Sequence, residues 1–443
     1  MSEVEGSAFA PWPLTALDVP ALRAAGRRPV PLRQFVLKVH SRCNLACTYC
    51  YIYQGRDRSW RGRPARAATA TMRRTAQRIA EHVDRHGLRE VRVDLHGGEP
   101  LMNGPEAVLE YAAAVRAELP EGRGAHITVQ TNGTLLTAAT LDRLAAAGIR
   151  VGLSLDGGTA ALNSRRTDHA GRPSWPAASR AARLLAARPD GYAGLLCTID
   201  LAADPALVYH SLAALRPPSL DLLLPHANWT APPPGLPHRA PWAARGAREV
   251  PYGQWLATVF DLWWDGEPGP RVRLFSEIIA LLLGLPSRTE SVGLSPSAAL
   301  VVDTDGAIEQ VDSLKTAYEH APATGLDVFR NTFDQALDHP GVAARQLGID
   351  ALGAVCRGCP VVRVCGGGNY THRYLEGSGF RQPSVYCADL EHLIRHIAHR
   401  LDTALTYHNS VTLPDRESPQ RGPGSASGED WGALQGRTSR TRR

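Results

Sequence analysis

The sequence of 443 residues is poor in lysine, methionine and aromatic side chains: it has two lysines, three methionines and 6% aromatic residues. Its net charge of +6 therefore comes almost wholly from arginine. Because few aromatic residues accompany these charges, the composition does not indicate a nucleic-acid-binding surface, and we expect a solvated arginine-rich exterior with a basic tail. A site for an acidic polypeptide is the alternative interpretation.

Long hydrophobic runs are also missing. The most apolar uncharged run, Ile278 to Pro286, is shorter than the roughly 20 residues that a membrane span needs. The first residues, MSEVEGSAFAPWPL, lack the basic and then apolar segments of a signal peptide. With 44% hydrophobic and 21% charged residues, the chain is expected to be a cytoplasmic globular protein without membrane contact.

The eight cysteines form two tight sets and one isolated position. Without a secretory signal, such sets favour metal ligation over disulfides, because a reducing compartment keeps thiols free. Cys197, in the apolar segment GLLCTID, is expected to be an ordinary buried thiol. The two sets are Cys43, Cys47 and Cys50, and then Cys356, Cys359, Cys365 and Cys387.

Hydrophobic periodicity alternates between strand and helix from residue 33 to about residue 264. The predicted strands are Gln34–Val39, Val91–Leu95, His126–Gln130, Arg150–Leu155, Gly194–Ile199 and Leu220–Leu224. The helices between and after them are Thr71–His86, Pro105–Glu118, Ala138–Ala147, Trp175–Ala187, Pro205–Leu215, Tyr252–Trp264 and Phe275–Leu285. Six βα units predict a parallel sheet. Periodicity alone does not distinguish an open doubly wound sheet from an incomplete β/α barrel.

Composition divides the chain into four regions: an N-terminal extension (1–32), the βα region (33–270), a C-terminal cysteine region (290–401) and a disordered tail (410–443). A proline-rich segment, Pro232 to Pro241, interrupts the βα pattern. The C-terminal region contains a predicted hairpin, Ala299 to Val311, that turns at Asp305-Gly306.

The segment RCNLACTYCY places three cysteines on one loop directly after the first strand. Three thiolates suit an iron–sulfur cluster in which one iron lacks a protein ligand and is free to bind an external chelating group. A zinc site is the alternative, and it needs a fourth ligand such as His40.

This cysteine loop resembles the signature of the radical S-adenosylmethionine (SAM) enzymes, and three later segments, HGGEP (96–100), QTNGTLL (130–136) and GLSLDGG (152–158), resemble the family in the expected order. The resemblance implies an α/β fold, a partial (β/α)6 barrel, with a [4Fe–4S] cluster and SAM at the carboxyl ends of the strands. Arg165 and Arg166 are expected at the surface, with pairing to the SAM carboxylate as the alternative. The resemblance assigns SAM contacts to Tyr49, Gly97, Gly98, Glu99 and Ser154.

The second cysteine set resembles the SPASM extension of radical SAM peptide-modifying enzymes. Complete SPASM regions hold two auxiliary clusters, but here Asn369 and Val311 stand where cysteines are usual. The resemblance therefore implies a SPASM-like domain with one auxiliary [4Fe–4S] cluster, held by Cys356, Cys359, Cys365 and Cys387. A structural zinc ribbon is the alternative.

In detail the chain resembles the FxsB-type maturases of ribosomally made peptides, which implies cross-linking of an aromatic ring to the β-carbon of a nearby residue. Asp312 stands where related enzymes carry a proton acceptor, with a hairpin-end or helix-cap role as the alternative. Three residues after the sixth strand are candidates to line the substrate end of the barrel, although we expect them to pack in the core or the loop. They are His226, Asn228 and Trp229. The implied partners are a ribosomal precursor peptide and a one-electron reductant such as flavodoxin or ferredoxin.

Other outcomes stay open at this stage. A formylglycine maturase of the sulfatase type, thioether formation and epimerisation are the enzymatic alternatives to cross-linking. A cluster-bearing binding or scaffold protein is the non-enzymatic one.

Overall fold

The computed structural model describes residues 12–236 and 249–411, whose strands form one ten-stranded sheet in the order β10-β9-β8-β1-β2-β3-β4-β5-β6-β7. The first six strands are parallel and follow the chain order, each paired with the next. The strands are β1 Gln34–His40, β2 Glu90–Gly97, β3 Gly124–Thr131, β4 Ile149–Ser154, β5 Tyr192–Thr198, β6 Ser219–Leu223, β7 Arg271–Val272, β8 Ala299–Val302, β9 Ala307–Glu309 and β10 Ala323–Asp327.

This strand order decides between the two predicted architectures. In a doubly wound sheet the order reverses at a switch point, whereas a β/α barrel keeps its strands in sequence. The order from β1 to β6 is sequential and the sheet stays open at its edges, so the predicted α/β fold of partial-barrel type is confirmed.

The predicted helices are present, with ends that shift by up to three residues. Helix α2 shows why the pattern is readable: Met72, Ala76, Ile79 and Val83 recur at helical spacing and are buried. The helices are α1 Val19–Ala24, α2 Thr69–Arg85, α3 Glu106–Glu118, α4 Ala138–Ala146, α5 Trp175–Ala186, α6 Pro205–Ala213, α7 Pro251–Asp265, α8 Arg273–Leu282, α9 Phe333–Ala336, α10 Pro340–Ala344, α11 Ala354–Arg357, α12 Val362–Cys365 and α13 Cys387–Val411.

The C-terminal hairpin extends the sheet of the barrel. Strands β8 and β9 are antiparallel and join through a turn at Gly306, whose φ of +89° favours glycine, so the predicted hairpin is present. Strand β8 then pairs in parallel with β1, from Gln34↔Ala299 to Leu37↔Val302. This pairing satisfies the free backbone groups of β1 and brings the residue after the hairpin, Asp312, to the barrel.

The chain divides into two compact units, residues 1–399 and 400–443. Within the first unit, the N-terminal extension packs on the C-terminal region: the Trp12 carbonyl accepts from the Phe380 amide at 3.2 Å, and the Trp12 ring lies 6.5 Å from that of Tyr370. Residues 410 and 411 belong to α13, whereas the rest of the predicted tail and residues 237–248 lie outside the described part. No helix in the described part is long and apolar enough to cross a membrane.

Candidate cluster and SAM site

The first cysteine loop leaves the end of β1 and is fixed by the strand ends beside it. The sulfur of Cys43 accepts from the Leu45 amide at 3.4 Å and from the Asn132 side-chain amide at 3.7 Å. Asn132 follows β3 and also donates to Asn44 at 2.9 Å. Burial raises the pKa of the Cys43 thiol to about 12, so a thiolate at this position needs a compensating cation such as iron.

The glycines of HGGEP pack against the cysteine loop itself. The Gly98 amide donates to the His40 carbonyl at 2.8 Å, and the Glu99 amide donates to the Arg42 carbonyl at 2.9 Å. A Cβ atom on Gly98 would lie 2.3 Å from the Arg42 carbonyl oxygen and 2.0 Å from the Tyr53 hydroxyl. Close backbone approach is therefore needed here between two strand ends, in addition to the predicted approach to SAM.

Glu99 connects the ends of β2 and β3. Its side chain is fully buried and accepts three hydrogen bonds, from the Leu101 amide at 3.1 Å, the Thr131 hydroxyl at 2.7 Å and the Asn132 amide at 2.8 Å. Burial raises its pKa above the usual range. Both carboxylate oxygens are engaged by the protein, so Glu99 positions Asn132 beside Cys43.

Ser154, at the end of β4, accepts from the Gln130 side-chain amide at 2.8 Å. Gln130 lies on neighbouring β3, so two segments that the sequence singled out separately, QTNGTLL and GLSLDGG, are brought into contact. Ser154 is only half-buried, which leaves its side chain accessible from the carboxyl ends of the strands.

Tyr49 belongs to a buried polar triad beside Cys47. Its hydroxyl donates to Asp156 and accepts from Arg166 at 2.7 Å, while Arg165 lies over its ring at 5.2 Å. The expected surface position is wrong for Arg166, which is buried because Tyr49 and Asp156 pair its guanidinium. Burial by itself lowers the pKa of Arg166, but Tyr49 and Asp156 raise it overall. One guanidinium nitrogen, Nε, is buried without a partner among the described residues.

Asp312 lies beside strand β1 of the barrel. Its Oδ2 atom pairs with Lys38 Nζ at 2.8 Å, while its buried Oδ1 atom has no hydrogen-bond partner among the described residues. Burial by itself raises the pKa of Asp312, but the charges of Lys38 and Lys315 hold it below the usual value. The carboxylate is therefore ionised.

The second cysteine set lines one cavity. Its empty volume is about 370 Å³, and its walls also include Gly367, Ser384 and Glu391. Burial raises the pKa of Cys365 to about 12 and raises that of Cys387 as well, which again calls for a cation to balance thiolates. The cavity brings together the four predicted ligands, Cys356, Cys359, Cys365 and Cys387.

Sulfur spacing in both sets suits a cluster better than one ion. Four thiolates around a zinc ion lie about 3.8 Å apart, given a Zn–S distance of about 2.3 Å. Within residues 12–236 and 249–411, no three cysteine sulfurs lie within 4.8 Å of one another. The donor sets therefore fit iron–sulfur clusters, whose irons spread the ligands further apart. Cys197 belongs to neither set and is buried, as predicted.

Sequence comparison finds a match to a known family in part of the barrel. Residues 37–188 match the family model of the Radical SAM superfamily. The serine-type anaerobic sulfatase-maturating enzyme of Klebsiella aerogenes is 33% identical over 196 residues, 44% of this chain and 47% of that enzyme. The cysteine-type enzyme of Clostridium perfringens (strain 13 / Type A) is 25% identical over 288 residues, 64% of this chain and 74% of that enzyme. The chain thus spans about half the length of the Klebsiella relative.

Solved structures share the fold over more of the chain. Native anSMEcpe with bound AdoMet superposes with a TM-score of 0.69 at 19% identity, covering 84% of this chain and 99% of the other. Streptococcus suis SuiB bound to precursor peptide SuiA gives a TM-score of 0.53 at 13% identity, covering 83% and 78%. The likeness extends beyond the barrel into the C-terminal region. Residues 37–188 therefore match the Radical SAM superfamily, and the chain is similar to anaerobic sulfatase-maturating enzymes over part of its length.

Proposed function

We propose that this chain is a radical SAM maturase of FxsB type that cross-links an aromatic ring to the β-carbon of a nearby residue in a ribosomally synthesised precursor peptide. Its first cysteine set would hold a [4Fe–4S] cluster that binds SAM, and its second would hold one auxiliary cluster. The observation that carries the proposal is Asp312, whose carboxylate has one oxygen paired with Lys38 and the other buried without a hydrogen-bond partner among the described residues. Two structural neighbours, SuiB and anSMEcpe, have been solved with bound peptides.

The chemistry needs a base as well as a radical. With the clusters and SAM bound, the site would supply a one-electron acceptor and a 5′-deoxyadenosyl radical, and this radical removes the β-hydrogen. Once the new carbon–carbon bond has formed and one electron has left, the ring carbon at the bond still carries its hydrogen, which must leave as a proton. Such a cationic ring is strongly acidic, so a carboxylate of low pKa is a sufficient acceptor, and Asp312 is the acceptor that we propose.

The chain's own residues hold this base in position. Lys38 lies in β1 and fixes one carboxylate oxygen, while His96, at the end of β2, and Tyr51, after Cys50, lie within electrostatic range of Asp312. Burial lowers the pKa of His96, so its imidazole is neutral and does not compete as a cation with Lys38. The unpartnered oxygen of Asp312 thus lies near the end of the barrel that carries the cysteine loop.

Formylglycine maturation is the second candidate, because the sequence relatives include serine-type and cysteine-type sulfatase-maturating enzymes. That reaction also removes hydrogen from a peptide side chain, but it leaves an aldehyde and no new ring. A hydrazide reagent labels the aldehyde, so the two products are separable.

The test is anaerobic co-expression with the peptide encoded by a short open reading frame beside the gene, followed by tandem mass spectrometry. We expect the wild-type enzyme to remove two hydrogen atoms per site, mapped to a three-residue segment, and Cys43→Ala/Cys47→Ala/Cys50→Ala to abolish the change. Cys197→Ala, which removes the cysteine outside both sets, is the matched control and should retain activity. An unchanged peptide mass from cluster-loaded enzyme contradicts the proposal, and hydrazide labelling supports the sulfatase-type reaction instead.

In the same assay, Asp312→Asn should separate the radical step from the proton step. We expect 5′-deoxyadenosine still to form while cross-linked peptide falls at least tenfold, within the usual contribution of general base catalysis. Equal loss of both products would assign Asp312 a structural role only.

A further inference from the structure

A second cavity lies at the carboxyl end of β6, between that strand, helix α8 and the segment that precedes α13. Its empty volume, counted together with the solvent space at its mouth, is about 530 Å³. One side of it is apolar and comes from leucines on three elements, Leu222, Leu274 and Leu390. His226, for which the sequence predicts packing, with the substrate end of the barrel as the alternative, lines this cavity.

The other side of the cavity presents two imidazoles with buried ring nitrogens that have no hydrogen-bond partner in the described part of the chain. His372 is 4% exposed, and neither of its ring nitrogens has a partner within the described ranges. The Nδ1 atom of His226 is likewise buried and unpartnered in this part of the chain. Burial lowers the pKa of His226 to about 4 and holds that of His372 well below its usual value, so both rings are neutral. Buried polar atoms without partners are costly and point to a ligand that supplies them.

Ring contacts place this cavity next to the cysteine loop. The Tyr51 ring meets that of His226 edge-on at 4.7 Å, and His226 lies 5.6 Å from His372. Tyr51 follows Cys50 directly in the sequence. A group bound against the two histidines would therefore lie beside the loop that carries the first cysteine set.

The walls suit an organic group better than a metal ion. Two imidazoles supply at most two ligand atoms, and the carboxylate of Asp221, also in the wall, is already paired with Arg273. A neutral imidazole offers one donor and one acceptor, and a phenol hydroxyl can both donate and accept. The leucine side suits the apolar face of an aromatic ring.

We propose that this cavity binds an aromatic side chain of the precursor peptide and that His226 and His372 favour a phenol over an unsubstituted ring by hydrogen bonding to its hydroxyl. The inference rests on the proposed function, since it names the side chain that the maturase would hold. It assigns to His372 a role in substrate selection that the sequence did not indicate.

The experiment measures binding without turnover. Anaerobic, cluster-reconstituted full-length protein is equilibrated by dialysis against p-cresol or toluene, which represent the side chains of tyrosine and phenylalanine. We expect p-cresol to bind more tightly than toluene, and His372→Phe to weaken p-cresol about five- to tenfold, the usual worth of one net hydrogen bond, while toluene is unaffected. His126→Phe, on an exposed side chain, is the matched control and should change neither affinity.

The proposal is overturned if p-cresol does not bind, if both probes bind equally, or if p-cresol binds equally to wild type and His372→Phe. Leu274→Trp fills the cavity from its apolar wall and should reduce binding of both probes, with cluster absorbance as the check that it folds. Stoichiometric Co²⁺ binding that is lost in His372→Phe would also overturn it, in favour of a metal site. Because no turnover is involved, a peptide that binds here without being cross-linked would leave the cavity assignment intact and refute only the cross-linking reaction.

Discussion

At the residue scale, the scarcity of lysine has a structural counterpart. Both lysines are buried, and each neutralises carboxylates next to the barrel. Lys38 pairs with Asp312 at 2.8 Å, whereas Lys315 pairs with Asp57 at 3.1 Å and with Glu309 at 3.4 Å. Arginine supplies the charge of the exterior, so a lysine in this chain marks an interior ion pair.

The pair of Asp57 and Lys315 predicts a defined dependence of stability on pH. Burial alone raises the pKa of Asp57, but Lys315 and the amides of Ser59 and His320 hold it below its usual value. A carboxyl of lowered pKa stabilises the fold above its unfolded pKa of about 3.9, and this contribution is lost as the pH falls through the folded value. Lys315 has a raised pKa, so its contribution is complete below about pH 10.4 and is lost only above that.

We therefore expect Asp57→Asn to destabilise the protein by about 3 kcal/mol at pH 7, since it leaves a buried ammonium with Glu309 as its remaining partner. The difference from wild type should shrink as the pH falls from about 4 through the lowered pKa of folded Asp57, below which the wild-type side chain is protonated as well. Thermal unfolding at several pH values measures it. Asp142→Asn removes an exposed pair with Arg188 and is the control, with an expected effect below about 1 kcal/mol. An equal loss in both variants would contradict the assignment.

At the element scale, the site is built where parallel strands end. The loop after β1, the HGGEP segment after β2 and Asn132 after β3 are joined by hydrogen bonds between neighbouring strand ends. Such loops can vary without disturbing the strands, but each depends on its neighbour for position. A substitution that shifts one strand end should therefore reduce cluster binding by the cysteine loop at the neighbouring strand end.

Gly98→Ala tests this dependence. A Cβ atom there would meet the Arg42 carbonyl oxygen at 2.3 Å, so the cysteine loop must shift. We expect the variant to lose about half of its iron, that of the first set, while the second set keeps its cluster. Gly62→Ala is the matched control, because a Cβ atom at Gly62 has no neighbour within 4 Å. Full iron content in Gly98→Ala would show that this packing does not position the loop.

Elements were predictable because their signals are local. Helix α2 and strand β1 follow from apolar spacing, and the hairpin of β8 and β9 follows from Asp305-Gly306. The pairing of β8 with β1 joins residues more than 250 positions apart, and local periodicity contains no signal for it. The cysteines and HGGEP were likewise readable as motifs, whereas Asn132, Arg166 and His372 act through contacts that only the folded chain creates.

At the scale of the whole molecule, one continuous sheet connects both regions. Strand β8 pairs with β1, so the segment after its hairpin brings Asp312 to Lys38 on β1. Ring contacts then lead from Tyr51 through His226 and His372 to Tyr386, which precedes Cys387 of the second set. The two cysteine sets therefore belong to one packed structure, and yet each set has its own ligands.

Separate ligand sets predict separable metal content. We expect anaerobically reconstituted wild-type protein to hold about eight iron atoms per chain, four for each cluster. Cys43→Ala/Cys47→Ala/Cys50→Ala and Cys356→Ala/Cys359→Ala should each retain about half, and Cys197→Ala should retain all of it. Iron, zinc and acid-labile sulfide are measured on the same samples. The contrary result is one zinc per chain that is lost only when the second set is changed. Because four thiolates satisfy either metal, this result would assign a structural zinc ion to the second set in place of the auxiliary cluster. The protein would then lack the electron acceptor that cross-linking requires.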